Sequence, residues 1–263
     1  SNKADIAKAN ELCDLYGLDV ISVGNIVAYI MSCYEEGLLT KDDLDGIEAR
    51  FGNGEALIKL IDFMGKGISV GKILSQGVKR VSEYFYKVKG NKRFLDLALH
   101  VKGLEPPAYE PRAAYGMALG YATSDRGACH LRGYTAGQEL LGYGGVADPL
   151  KAEGKAQLVI FRQNEKAVID SVGICYYSFF AFTLKEIRKM IITATGLRYE
   201  DEKELEKVGE RIYNLTRLFN VREGFTSKDD ILPERFLKEP LSEGPAKGSI
   251  VPLDIMLKEY YEY

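Results

Sequence analysis

The sequence predicts an essentially all-α protein, on three observations. Apolar residues recur at steps of three and four along most of the chain, glycines stand where those runs stop, and few stretches show sustained alternation with a period of two. Residues 3–15 space Ile6, Ala9, Leu12 and Leu15 three apart and end at Gly17, a natural helix stop. A second helix is expected over 21–34 on the stripe Ile26, Val27, Ile30, Met31 and Tyr34, closed by Gly37. Thr40-Lys-Asp-Asp43 reads as a helix start, with acidic residues where the helix dipole favours them. Further helices are expected at 53–64, 70–86 and 149–169. Thr183-Leu-Lys-Glu186 fits the capping box and opens a helix to about Thr195. A charged amphipathic helix fills 201–220, and a short one starts near Pro252. Phe94 to Val101 is the best strand candidate.

One segment breaks the helical rhythm. Between Lys102 and Gly145 stand three prolines and nine glycines, yet the Tyr, Leu, Met and Ala content is too apolar for a solvated linker. An ordered, site-forming segment is expected there, and the chain is divided into helical domains at 1–145 and 146–263.

Composition sets outer limits. A chain of 263 residues, 46% apolar and 28% charged, can bury a core without disulfide staples. The net charge of −3 has Lys and Arg scattered among Asp and Glu, so no basic face argues for nucleic acid or an anionic membrane. The longest apolar run, Val172 to Phe182, is far short of the roughly 20 residues of a membrane span. Cys13, Cys33, Cys129 and Cys175 form no C-x-x-C pair, which disfavours a self-contained zinc finger or ferredoxin-type cluster and reads as reduced thiols in a cytoplasmic protein. The opening Ser-Asn-Lys-Ala-Asp shows no signal-peptide pattern and no initiator Met, so a piece cut from a longer chain is expected.

Two turns share a pattern. Asp14-Leu-Tyr-Gly17-Leu18-Asp19 and Asp170-Ser-Val-Gly173-Ile174-Cys175 each end a helical run with an Asp three residues before a glycine. A carboxylate so placed can accept paired N–H bonds from an amino-pyrimidinone edge such as that of a pterin; each turn can equally be a plain helix C-cap. Between them lies Arg126-Gly-Ala-Cys-His130-Leu-Arg132. Its arginines suit phosphates or anionic sulfur ligands. His130 is either a proton carrier near neutral pH or a hydrogen-bonded histidine in a surface turn. His100, on an apolar run, reads as a packed histidine. Cys175, among Ile174, Tyr176, Tyr177, Phe179 and Phe180, is either a buried structural thiol or one ligand of an iron–sulfur cluster whose other thiolates lie elsewhere.

These residues carry a resemblance. The stretches 10–19, 100–105, 107–112, 120–132, 170–175, 211–215, 218–225 and 232–236 together resemble the C-terminal portion of the tungsten-containing aldehyde ferredoxin oxidoreductase family, along nearly the whole chain. The resemblance implies two helical domains forming half of a cleft for a bis-pterin tungsten (or molybdenum) cofactor, held on its other side by an N-terminal pterin domain. It implies oxidation of a small aldehyde with water to a carboxylic acid, with electrons passing through a [4Fe–4S] cluster to ferredoxin. Carried over by motif, Asp14, Gly17, Leu18 and Asp19 serve one pterin and Asp170, Gly173 and Ile174 the other. Arg126 and Arg132 stand near the cofactor, His130 close to the metal, and Cys175 is the last cluster ligand. Ile174 replaces the family's usual Leu, and Arg132 stands where some members have Lys. The N-terminal domain and an upstream C-x-x-C-x-x-x-C run are expected in the missing part, so the piece alone is expected to lack both cofactors and be inactive. A homo-oligomer is compatible with this reading. The alternative is a non-catalytic helical scaffold descended from the same enzyme.

Overall fold

The computed structural model describes residues 2–263, and among them helices are joined by turns, with a single isolated bridge between Val101 and Leu104 and no sheet. The all-α expectation holds. The chain divides into two compact units, residues 1–107 with 233–235, and 108–232 with 236–263.

In the first unit α1 (Lys3–Tyr16) starts at a reciprocal cap in which the Asn2 side chain takes the Asp5 N–H and the Asp5 carboxylate takes that of Asn2. α2 (Val20–Glu35) begins one turn later, with Asp19 Oδ1 accepting the Ser22 N–H at 2.8 Å. α1 packs on α3 (Gly54–Lys66), and α4 (Gly71–Leu74), α5 (Val78–Lys89) and α6 (Arg93–Asp96) complete the layer. Leu12, Ile26, Ile30, Leu60, Ile61, Leu74, Val81 and Phe94 fill the core between them.

Three expectations are corrected here. The helix expected over 70–86 is two helices, broken at Gly77, whose φ of 87° favours a residue without Cβ. The buried Glu105 carboxylate then caps the restart by accepting the Val78 N–H at 2.6 Å. Phe94 to Val101 is not a strand: Arg93–Asp96 is a helical turn, and Phe94, Leu97 and Ala98 bury at helical spacing. Thr40–Asp43 does cap a turn, with Asp43 Oδ2 accepting the Thr40 N–H, but only the short 3-10 turn Asp42–Leu44 follows.

In the second unit α7 (Tyr115–Thr123) and α8 (Ala136–Leu140) lie inside the stretch expected to be irregular. α7 escaped the periodicity test because all nine of its residues are buried, so no polar face alternates with an apolar one. α9 (Lys155–Val172) is the spine: α7 and α11 (Glu202–Arg222) pack on it, as do α10 (Leu184–Thr195) and α13 (Leu253–Glu262); the short α12 (Glu234–Lys238) precedes α13 in the chain. Because α7 packs on α9, the division falls at Pro107 rather than at the expected residue 145. The α9–α11 approach is set by Gly209, where a Cβ would stand 2.1 Å from the Asn164 carbonyl oxygen. The capping box at Thr183 forms as expected, with the Glu186 carboxylate taking the Thr183 N–H at 3.0 Å.

Candidate cofactor-binding site

The two related turns have the same backbone. Gly17 and Gly173 both adopt left-handed φ, 66° and 77°, and each donates its N–H back to the carbonyl of the Asp three residues earlier, at 3.3 and 3.2 Å. Both are therefore helix C-caps, and in both the Asp side chain stands exposed at the end of the helix. Among the described residues Asp14 accepts only the Asn10 amide, at 3.2 Å, and its neighbours Leu15, Val20 and Ile21 are exposed apolar side chains. Leu18 is half-buried against the core of the first unit. Asp19 is exposed but already engaged as the cap of α2.

The second turn is electrostatically richer. Asp170 is ion-paired to Lys166 Nζ and to Arg132 Nη1, the latter at 2.9 Å, and Arg132 Nε also lies 3.1 Å from the nearly buried Asp125 carboxylate. Arg132 thus ties the 126–132 stretch to the turn at the end of α9. Arg126 donates to the Cys129 sulfur at 2.7 Å. His130 is half-buried, and its ring lies 5.8 Å from that of Tyr109, whose hydroxyl is 3.3 Å from that of Tyr134. Sequence reasoning placed Arg126, His130, Arg132 and Asp170 but missed Asp125, Lys166, Tyr109 and Tyr134. Lys166 alone left a signal, its i, i+4 spacing to Asp170.

Cys175 is exposed, whereas Cys13, Cys33 and Cys129 are buried. The structural-thiol reading of Cys175 is thereby corrected: its apolar neighbours Tyr176 and Phe179 turn inward while the thiol follows Gly173 outward and opens the 3-10 turn Tyr176–Phe180. Ile174 is half-buried and forms part of the rim of an apolar cavity of about 440 Å³, walled by α9, α10 and α11 through Val168, Ile191 and Leu205. Among the described residues no three His, Cys, Asp or Glu side chains group as a metal site, and no helix is long and apolar enough to cross a membrane.

Both histidines are pushed toward the neutral form. Burial, then the Arg126 charge, lowers the pKa of His130; burial, then Lys79, lowers that of His100, against the opposing Glu105 and Glu83. An unfolded histidine titrates near about 6.5, and below that pH the unfolded chain takes up protons that the folded chain refuses. Stability is therefore full above about pH 6.5 and falls as pH drops from there toward the lower folded values. The urea midpoint is expected to be lower at pH 5.5 than at 7.5, and less so in the double variant His100→Gln/His130→Gln. Equal slopes for parent and variant would refute this.

Comparison with known proteins identifies the family. The family model described as aldehyde ferredoxin oxidoreductase, domains 2 and 3, matches residues 1–263. The tungsten-containing aldehyde ferredoxin oxidoreductase of Thermococcus kodakarensis is 41% identical over 262 residues, and that of Pyrococcus horikoshii 40% over 264. Each alignment takes in 98% of this chain but 42% of the relative, so the chain spans about two fifths of the length of these proteins. Among solved structures, the active-site complex BamBC of benzoyl coenzyme A reductase has a similar fold, with a TM-score of 0.69 at 18% identity over 93% of this chain and 41% of that one. With the family model matching from end to end and relatives about 40% identical over 98% of its length, the chain belongs to the aldehyde ferredoxin oxidoreductase family, whose domains 2 and 3 it carries.

Proposed function

We propose that the chain is the C-terminal, cofactor-clamping part of a cytoplasmic tungstopterin enzyme that oxidises small aldehydes and reduces ferredoxin. The observation that carries the reading is the turn 170–175, which presents a carboxylate at one end and the one exposed cysteine at the other. The donor set fits the implied groups: an exposed thiol suits a cluster iron, and exposed carboxylates at two like turns suit the N–H edges of two pterins. The remaining cluster thiolates and the facing pterin domain would belong to the part of the relatives that this chain does not cover. When bound, the tungsten–pterin group and the [4Fe–4S] cluster supply the redox chemistry, in which aldehyde and water yield carboxylic acid, two protons and two electrons.

The chain's own residues supply binding and proton handling. Asp14 and Asp170 would accept the amino-pyrimidinone N–H groups of the two pterins, and Gly17, Leu18, Gly173 and Ile174 would form the turns that present those carboxylates. Asp19 fixes the start of α2 beside the first turn. Arg126 and Arg132 hold anionic groups of the cofactor. His130, kept neutral by burial and by Arg126, is free to accept a proton from the substrate's water at its imidazole nitrogen. Cys175 binds iron through its sulfur.

Metal analysis of the full-length gene product tests the reading. Tungsten (or molybdenum), pterin and cluster iron together, with aldehyde-dependent reduction of ferredoxin, are expected, as is a C-x-x-C-x-x-x-C sequence encoded upstream of Asp5. A product without these cysteines and without metal would favour the non-catalytic scaffold instead.

A further inference from the structure

We infer that Lys166 is a positioning residue that sets both ends of the 170–175 turn through one ammonium group; this rests on the reading of that turn as a cofactor-binding element. Lys166 projects from α9 four residues before Asp170 and its side chain is only 9% exposed, so it is no ordinary surface lysine. Its Nζ makes an ion pair with Asp170 Oδ1 and at the same time lies 4.5 Å from the centroid of the Tyr176 ring. Asp170 opens the turn and Tyr176 directly follows Cys175, so the ammonium bridges the carboxylate end and the thiol end.

The Tyr176 side shows why the bridge matters. Its ring is buried, and its hydroxyl has no hydrogen-bond partner. The ring is therefore held through its π contacts: Phe179 stacked at 4.8 Å, Tyr134 edge-on at 6.2 Å, and the Lys166 ammonium. Phe179 and Tyr134 pack against the ring, stacked and edge-on, but carry no link to the Asp170 carboxylate. Lys166 is the contact that couples the two. At the Asp170 side Arg132 offers a second cation, so the carboxylate keeps a partner if Lys166 is lost, whereas the coupling to Tyr176 does not survive.

The test uses the cofactor-loaded enzyme with Lys166→Met, Lys166→Arg, Tyr176→Leu and Cys175→Ser. In Lys166→Met the cluster is retained, because Cys175 is untouched, but its reduction potential shifts lower as a positive charge leaves its surroundings, while tungsten content stays near the parental value because Arg132 still holds Asp170. Lys166→Arg restores the parental potential. Tyr176→Leu keeps the ammonium but removes its aromatic seat, and is expected to alter the electron paramagnetic resonance signal of the reduced cluster while tungsten content stays near the parental value. An unchanged potential in Lys166→Met, or an arginine variant that behaves like the methionine one, overturns the inference. Should Lys166→Met fail to fold, an unchanged signal in Tyr176→Leu overturns it. Cys175→Ser separates the two levels: an intact cluster there defeats the reading of the turn itself, while a lost cluster beside an unaffected Lys166→Met defeats only the role of Lys166.

Discussion

Replacing Cys175 by serine in the full-length enzyme is expected to remove the iron–sulfur cluster and, with it, electron delivery to ferredoxin. Serine keeps the size and the backbone: the turn needs only Gly173 in its left-handed conformation and the Cys175 carbonyl that accepts the Ser178 N–H at 3.0 Å. What serine lacks is the thiolate. Loss of an outer partner of a metal ligand alone costs on the order of 10–100-fold, so loss of the ligand should lower ferredoxin reduction by at least about 100-fold. In the chain free of cofactors the same change should leave the fold almost untouched, since the side chain is exposed and substitutions away from buried features stay within about 0.5 kcal/mol. Iron content, ferredoxin-linked turnover and the urea midpoint read these three expectations separately. A variant that keeps its iron refutes the assignment. A variant that loses its iron together with several kcal/mol of stability returns Cys175 to a structural role.

This separation between site and scaffold explains what was legible in the sequence. The end of α1 and the start of α10 were readable because a glycine and a capping residue act locally: Gly17 and the Thr183–Glu186 box do their work within one turn of chain. The 14–19 and 170–175 turns were readable for the same reason. α7 was not, because a helix buried on every side has no amphipathic signature, and its place is set by partners distant in sequence. The break at Gly77 was missed because the group that caps the restarted helix, Glu105, is 27 positions away from Val78. At the site, residue types and order pointed to Arg126, His130, Arg132 and Asp170. The network that orients them could not be read: Asp125 faces Arg132 only after 126–132 folds back onto the end of α9. Cys175 was surrounded by apolar letters, and only the turn shows that Tyr176 and Phe179 point inward while the thiol, Tyr177 and Phe180 point outward.

The second large effect is expected in the scaffold under that site. Glu139 is buried, and its carboxylate carries four bonds: Oε1 accepts the Gly116 N–H at 2.8 Å and Lys155 Nζ at 2.6 Å, and Oε2 accepts the Met117 N–H at 3.2 Å and the Thr135 hydroxyl at 2.7 Å. One side chain from α8 therefore satisfies the first amides of α7, which no residue of α7 itself caps, and neutralises the buried lysine at the start of α9. Glu139→Ala leaves two helix N–H groups and an ammonium buried without that partner. Breaking a buried pair from one side costs about 3–5 kcal/mol, and a comparable loss is expected here, read as a fall in the urea midpoint at unchanged slope. Lys155→Met removes the cation but leaves the carboxylate its three other donors, so its cost should be smaller. In the double variant Glu139→Gln/Lys155→Met the buried charges go together while the amide oxygen still serves α7. It should therefore be more stable than the sum of Glu139→Gln and Lys155→Met, each measured singly, predicts, and that coupling is the signature of the pair. Because α7 runs directly into Asp125 and the 126–132 stretch, partial unfolding from this point would also release Arg132 from Asp170. A Glu139 variant that is destabilised by less than about 1 kcal/mol, the value of an ordinary hydrogen bond, would mean that α7 is held by its buried faces alone.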